Sequence, residues 1–295
     1  MKIAINNVVK KYGRKTALNG LTLEMSNHGV ICLLGPNGAG KTTMLKVLTN
    51  LTRPTSGYAS INGIKVFDNP RKALMRVGSL VEQPEFYPYL TGREVLDFVC
   101  KVRGIENRAG ITDEIERVSG LTGITDYLDR RSGGYSRGMK QRLGLAGSMI
   151  SDPEILILDE PTFGLDPRGM KEMRDVIREF ASREDRLVLM STHLVSEAKE
   201  LSDRVIIVNH GNVISDQKYR SEDLILKVTL ESQPGNMKGT PDFELLEQHG
   251  NMLVLRKNDG MSNDDLIRWL GSNGCRIKFV EPYNDIEEIY MKNVS

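Results

Sequence analysis

The run Gly35-Pro36-Asn37-Gly38-Ala39-Gly40-Lys41-Thr42-Thr43 fits the pattern G-x-x-x-x-G-K-[ST], a combination of residues suited to gripping phosphate. Glycines permit positive φ and a close backbone approach, so successive N–H groups can turn inward as an anion nest. Lys41 is expected to reach the β- and γ-phosphates of a nucleotide, and the Thr42 hydroxyl to ligate Mg²⁺. The flanks suit this role. Val30-Ile31-Cys32-Leu33-Leu34 predicts a buried strand feeding the loop, and Met44, Leu45, Leu48 and Leu51 recur at helical spacing behind it. A helix starting there adds the partial positive charge of its N-terminus. These residues predict a site for a nucleoside triphosphate.

Ile155-Leu156-Ile157-Leu158-Asp159-Glu160 is an apolar strand ending in two carboxylates. Four apolar residues in a row imply a strand buried on both faces, as in a parallel sheet covered by helices. Asp159, at the carboxyl end, falls where open α/β sheets bind ligands and is expected to hold Mg²⁺ through a water. Glu160, directly after it, can accept a proton from an attacking water or hold that water in line with the γ-phosphate. Between these motifs lies Ser132-Gly133-Gly134-Tyr135-Ser136-Arg137-Gly138-Met139-Lys140-Gln141-Arg142. Ser136 is a natural N-cap for the helix carrying Leu143, Ala146 and Ile150, which makes a second helix end equipped to grip an anion. With Lys41 already serving one phosphate site, such an end makes sense if it serves the nucleotide of a neighbouring chain.

The elements that must position these groups follow from the apolar periodicity. Ile3 and Ile5, then Leu18, Leu21, Leu23 and Met25, alternate at strand period and predict antiparallel strands ahead of the loop. A strand and turn over 57–63 and a strand over 76–81 come next. Thr91-Gly92-Arg93-Glu94 is a capping box opening a helix with Val95, Leu96, Phe98, Val99 and Val102, and helical pattern continues, so an all-helical insert is expected over about 85–150. Strand 155–159, helix 168–182, strand 187–191, helix 194–202 and strand 204–208 then alternate as βαβ units do. Asp166-Pro167 forms an N-cap and first-turn pair. From about 221 to 295 a small α+β appendage is expected, with strands at 224–230, 252–255 and 277–280, helices at 264–270 and 285–292, and a polar loop over 232–241. The fold class expected is α/β, with domains at 1–218 and 221–295.

Composition narrows the partners. Lys plus Arg number 40 against 39 Asp plus Glu, so no basic field points to nucleic acid. Cys32, Cys100 and Cys275 are scattered without a C-x-x-C, which suggests reduced thiols in the cytosol. The first residues lack the apolar core of a signal peptide, and no apolar run is long enough to cross a bilayer. A membrane role is therefore expected to run through a partner.

Together the residues resemble the ATP-binding cassette ATPases, the motor subunits of ABC transporters, over 1 to about 218, with seven motifs in the family's order. The resemblance implies a P-loop NTPase fold of ABC type, with ATP and Mg²⁺ as ligands. It implies that Tyr12 stacks on adenine, that Gln83 senses Mg²⁺ and the transmembrane partner, and that His193 is the switch histidine near the γ-phosphate. Tyr135-Ser136-Arg137-Gly138-Met139 occupies the signature usually written L-S-G-G-Q. It departs at Tyr135, Arg137 and Met139 but keeps Ser136 and Gly138, which match the two positions that face phosphate in the family. Gly164-Leu165-Asp166 resembles the loop that crosses the dimer interface. The Y-S-x-G-M form and the tail 285–290 resemble the branch of drug, bacitracin and lantibiotic exporters whose ATPase is a separate polypeptide. The expected partners are a second ATPase subunit, as a nucleotide-dependent homodimer, and an integral membrane permease, with the chain on the cytoplasmic face. Phe86-Tyr87-Pro88-Tyr89-Leu90 is either core of the helical insert or an exposed patch that receives the permease. An importer ATPase with a regulatory C-terminal domain, and a soluble ABC-type ATPase acting on DNA or ribosomes, are the alternatives. The single compact cassette and the absence of heptads weigh against the second.

Overall fold

The computed structural model describes residues 1–26, 28–218, 225–235, 243–257, 262–282 and 285–294. The chain divides into two units, one within Met1–Lys218 and one within Tyr219–Lys292. In the first unit, a six-stranded sheet has the order Asn212–Lys218, Arg204–Asn209, Gly29–Leu34, Leu187–Thr192, Ile155–Asp159, Val77–Leu80. Its pairings are parallel except at the first edge, where Asn212–Lys218 returns antiparallel through His210-Gly211, both at positive φ. The three central strands are buried at every residue, as apolar runs flanked by helices on both faces must be.

A four-stranded antiparallel sheet, ordered Lys15–Ser26, Lys2–Tyr12, Ser56–Ile61, Ile64–Lys65, lies against the same core. Ile3, Ile5, Leu18 and Met25 from it are packed in one cluster with Ile31, Leu33, Met44 and Leu45. The helical insert holds Gly92–Val102, Arg108–Thr122 and Arg137–Met149. The Thr91/Glu94 capping box forms as the spacing predicts. The insert begins later than expected, because residues 85–91 make no helix and Tyr87 and Tyr89 stand exposed, stacked on each other at 5.6 Å. Leu51 corrects another expectation: the helix is Lys41–Leu48, Asn50 takes φ 62 beyond it, and Leu51 is 62 % exposed.

In the second unit, Phe243–His249, Met252–Lys257, Ile225–Leu230 and Ile277–Pro282 form an antiparallel sheet in that order. The helix Asn263–Ser272 contributes Leu266 and Leu270 to its core, and Trp269 meets Phe243 edge-on at 4.7 Å. The first of these strands is absent from the sequence reading because a register shift between Leu245 and Glu247 breaks its period of two. The expected boundary near 221, position 224 of an expected strand and positions 236–241 of the expected loop lie outside the described residues. No described helix is long and apolar enough to cross a membrane.

Candidate nucleotide site

Parallel register builds the site. Leu34 pairs with Thr192, and Asp159 with Ser191, so three strands end at one level. The residues just past those ends, Gly35, Glu160 and His193, therefore emerge side by side at the carboxyl edge of the sheet, where α/β folds place their ligands. Hydrogen bonds bind the ends together. The Gly35 N–H donates to the Thr192 carbonyl at 3.3 Å, and the Glu160 N–H to the Ser191 carbonyl at 3.2 Å and Oγ at 3.1 Å. Ser191 Oγ in turn donates to Asp159 Oδ1 at 2.5 Å. These contacts hold Glu160 at φ 46, a conformation that costs a non-glycine residue free energy and recurs at functional sites.

The loop Gly35–Thr43 wraps the N-terminus of the helix Lys41–Leu48. Two of its glycines are sterically required. A Cβ on Gly35 would sit 2.2 Å from the Val208 carbonyl oxygen. One on Gly40, which has φ 110, would sit 2.7 Å from that of Ala17. Lys41 is 5 % exposed and donates to the carbonyls of Gly35 at 2.6 Å and Pro36 at 3.1 Å. Burial lowers the pKa of its ammonium, while Glu160, whose Oε1 lies 3.9 Å away, and Asp159 oppose that shift. A cleft of about 250 Å³ runs along the loop and is lined by Asn37, Gly38, Ala39, Gly40, Lys41, Thr42 and Thr43, with Tyr12, Lys15, Ala17 and Glu160. Tyr12 is 47 % exposed at its rim, with Lys10 Nζ 4.7 Å above its ring.

A second cleft, about 330 Å³, shares Thr42 and Glu160 with the first and adds Gln83, Asp159, Gln141, Arg137 and Phe163. The hydroxyl, carboxylate and amide oxygens of Thr42, Asp159 and Gln83 are hard donors, a set that fits Mg²⁺ better than a softer metal. His193 Nδ1 lies 3.2 Å from Glu160 Oε1. Phe163 meets the His193 ring edge-on at 5.8 Å, and the Arg137 guanidinium covers Phe163 at 4.4 Å. Thus Lys41, Thr42, Gln83, Asp159, Glu160 and His193 come together, whereas Ser136, Gly138 and Asp166 line neither cleft. Ser136 accepts the Met139 N–H at 3.2 Å and Asp166 the Gly169 N–H at 2.8 Å, each capping its own helix. Gly138 lies beside Leu165, so the signature and the loop 163–166 pack on one another within the chain.

Sequence reasoning missed Ser191, Phe163 and the cis placement of Arg137. Ser191 has a findable signal, since a polar residue closing the buried strand Leu187–Thr192 must spend its hydroxyl on something.

An ABC transporter family model matches residues 18–163. The chain is 41 % identical to the bacitracin transport ATP-binding protein BcrA of Bacillus licheniformis, covering 99 % of this chain and 94 % of that one. It is 40 % identical to the ABC transporter ATP-binding protein YdbJ of Bacillus subtilis, covering 98 % and 94 %. To the lantibiotic transport ATP-binding protein SrtF of Streptococcus pyogenes it is 36 % identical, over 74 % and 91 %. Among solved structures, the ATP-binding subunit of an ABC transporter superposes with a TM-score of 0.67 at 25 % identity, over 75 % of this chain and 92 % of that one. A dimeric post-hydrolysis cassette bound to ADP and Pi superposes at 0.69 with 22 % identity, over 74 % and 99 %.

Proposed function

The chain belongs to the ATP-binding ATPase subunits of the ABC transporter family, and on that premise we propose that it is the motor of an exporter of drugs or antimicrobial peptides. Two copies close on ATP, each giving Ser136 and Gly138 to the nucleotide held by the other's Lys41 loop. Closure and reopening drive a separate membrane permease, which keeps the chain at the inner face of the membrane. Relatives named for bacitracin and lantibiotic transport support the cargo class. The match to BcrA over nearly the whole chain favours the exporter branch over an importer with a regulatory tail.

Hydrolysis needs a water oxygen to bond the γ-phosphorus while the bond to the β–γ bridging oxygen breaks, releasing ADP. In this reading Glu160 takes the water's proton as the bond forms and passes it to the departing phosphate. His193 holds the Glu160 carboxylate through their 3.2 Å contact and faces the γ-phosphate. Lys41 supplies positive charge to the β- and γ-oxygens once its donors turn from the Gly35 and Pro36 carbonyls. Thr42, Asp159 and Gln83 would hold Mg²⁺, which neutralises charge on the phosphates when bound. Tyr12 stacks on the base.

The observation that carries this reading is Glu160 itself: one residue beyond Asp159, at φ 46, its carboxylate between Lys41 and His193. Glu160→Gln keeps the shape but cannot accept the proton. It should bind ATP with unchanged affinity, lose turnover and accumulate an ATP-held dimer on size exclusion. Near-normal hydrolysis by this variant would remove Glu160 from the mechanism.

A further inference from the structure

Bonded to residues next to Glu160 and His193 lies a buried carboxylate that the reaction itself does not use. Glu197 is 2 % exposed, in the helix Val195–Leu201. No ion pair holds it at direct contact distance among the described residues, although Arg174 and His193 act on it from further off, and taking a carboxylate out of water without a contacting cation is costly. Each of its oxygens instead accepts a hydroxyl from a different segment, one in the loop after Asp159 and one at the end of the strand Leu187–Thr192. Thr162, two residues past Glu160, donates to Oε1 at 2.5 Å, and Thr192, one residue before His193, donates to Oε2. Thr192 also accepts the Leu194 N–H on Oγ1 at 3.1 Å, and its carbonyl takes the N–H of Gly35. One side chain thus ties together the loops that carry Glu160 and His193, and through Thr192 the first residue of the phosphate loop. Burial pushes the Glu197 carboxyl upward in pKa, and the two threonine hydroxyls, then the charges of Arg174 and His193, oppose it.

We propose that Glu197 is a positioning residue for ATP hydrolysis, a buried staple that sets the separation of Glu160 and His193. A leucine in its place would fill the core, and replacing a buried charge by an apolar side chain is often neutral or stabilising. What leucine cannot do is fix two loops relative to each other. Displacements near 1 Å of a reacting group cost about 100-fold in rate, and losing an outer-shell partner typically costs about 10- to 100-fold. The nucleotide contacts lie in the phosphate loop, which keeps its own hydrogen bonds, so binding should be spared.

The proposal rests on the roles given above to Glu160 and His193, and the test separates the two. ATPase kinetics and melting temperature are measured for Glu197→Leu, Glu197→Gln, Thr162→Val and Glu160→Gln in the full-length chain. The expected result is a kcat lowered about 10- to 100-fold in Glu197→Leu and Thr162→Val, with KM for ATP within about threefold. Glu197→Gln, which can still accept from Thr192 and donate to Thr162, should stay within about threefold of the native kcat. Should Glu197→Leu fold poorly, Thr162→Val carries the same test with one isosteric change on the surface of the staple. Native kcat in Thr162→Val, or a Glu197→Gln as impaired as Glu197→Leu, would overturn the proposal. An inactive Glu160→Gln beside a fully active Glu197→Leu overturns the staple alone. An active Glu160→Gln overturns both it and the mechanism above.

Discussion

Lys41→Met separates the charge of the phosphate-loop lysine from its bulk. The ammonium is held by two backbone carbonyls, at 2.6 and 3.1 Å, with Glu160 at 3.9 Å. Removing it deprives those carbonyls of a donor, at about 1 kcal/mol each. The same change relieves the cost of burying a charge that is only 5 % exposed, so the two effects oppose each other. Net stability should move by no more than about 1 kcal/mol, or about 4 °C in melting temperature for a domain of this size. Binding behaves differently. On ATP the lysine exchanges neutral carbonyls for anionic oxygens, and charge-assisted bonds exceed neutral ones by roughly 1 kcal/mol apiece. Two or three such exchanges amount to about 2–3 kcal/mol, or about 30- to 150-fold in Kd. Calorimetric titration with ATP and Mg²⁺, paired with a melting curve of the free protein, reads both quantities. An affinity within threefold of native, or a collapse of the free protein's melting temperature, would refute the reasoning, because Lys41 would then serve the fold rather than the ligand.

Three further outcomes are expected. Tyr12→Ala should weaken ATP binding by about 1–3 kcal/mol, the usual worth of a base stack, and GTP binding by as much, while Tyr12→Trp retains both in fluorescence titration. Gly40→Ala forces a Cβ against the Ala17 carbonyl at φ 110 and should lose more melting temperature than Gly38→Ala, which meets φ 83 but open space. Asp159→Asn can keep the Ser191 hydroxyl bond and the fold, yet should abolish the Mg²⁺ dependence of ATP affinity when titrations with and without the metal are compared.

What the sequence made legible is what local pattern can carry. Four-residue apolar runs announce the central strands, and the glycines and lysine of 35–43 announce the phosphate loop, because the chemistry needs those types at that spacing. Positions 159 and 160 are readable for the same reason, being fixed by the end of a strand. The contacts that remained hidden join residues far apart in the chain through ordinary side chains: Ser191 with Asp159, Phe163 with His193, Arg137 with Phe163, Glu197 with Thr162. A glutamate in a short helix reads as solvated, and only tertiary packing makes Glu197 buried. Edge strands escaped as well. Asn212–Lys218 is polar and shifts register between Val213 and Ser215, so no alternation marks it.

The central claim, that each ATP is shared between two chains, is tested most directly by mixing two defective variants. Gly138 is not at positive φ, and a Cβ there would meet the Leu165 methyl at 3.3 Å and Ser136 Oγ at an ordinary 3.9 Å, so Gly138→Asp should fold. Its carboxylate would face the γ-phosphate of the partner's nucleotide, where like charges repel strongly in a desolvated interface. Alone, Gly138→Asp should bind ATP through its own Lys41 but neither dimerise nor turn over, and Lys41→Met should bind ATP weakly. Mixed, they leave one intact composite site per heterodimer, the native Lys41 of one chain opposite the native Gly138 of the other. Nucleotide crosslinking should then recover one ATP held between the two chains. If the mixture forms no closed dimer and Gly138→Asp by itself fails to bind ATP, the signature acts within its own chain, and the shared-site account is contradicted.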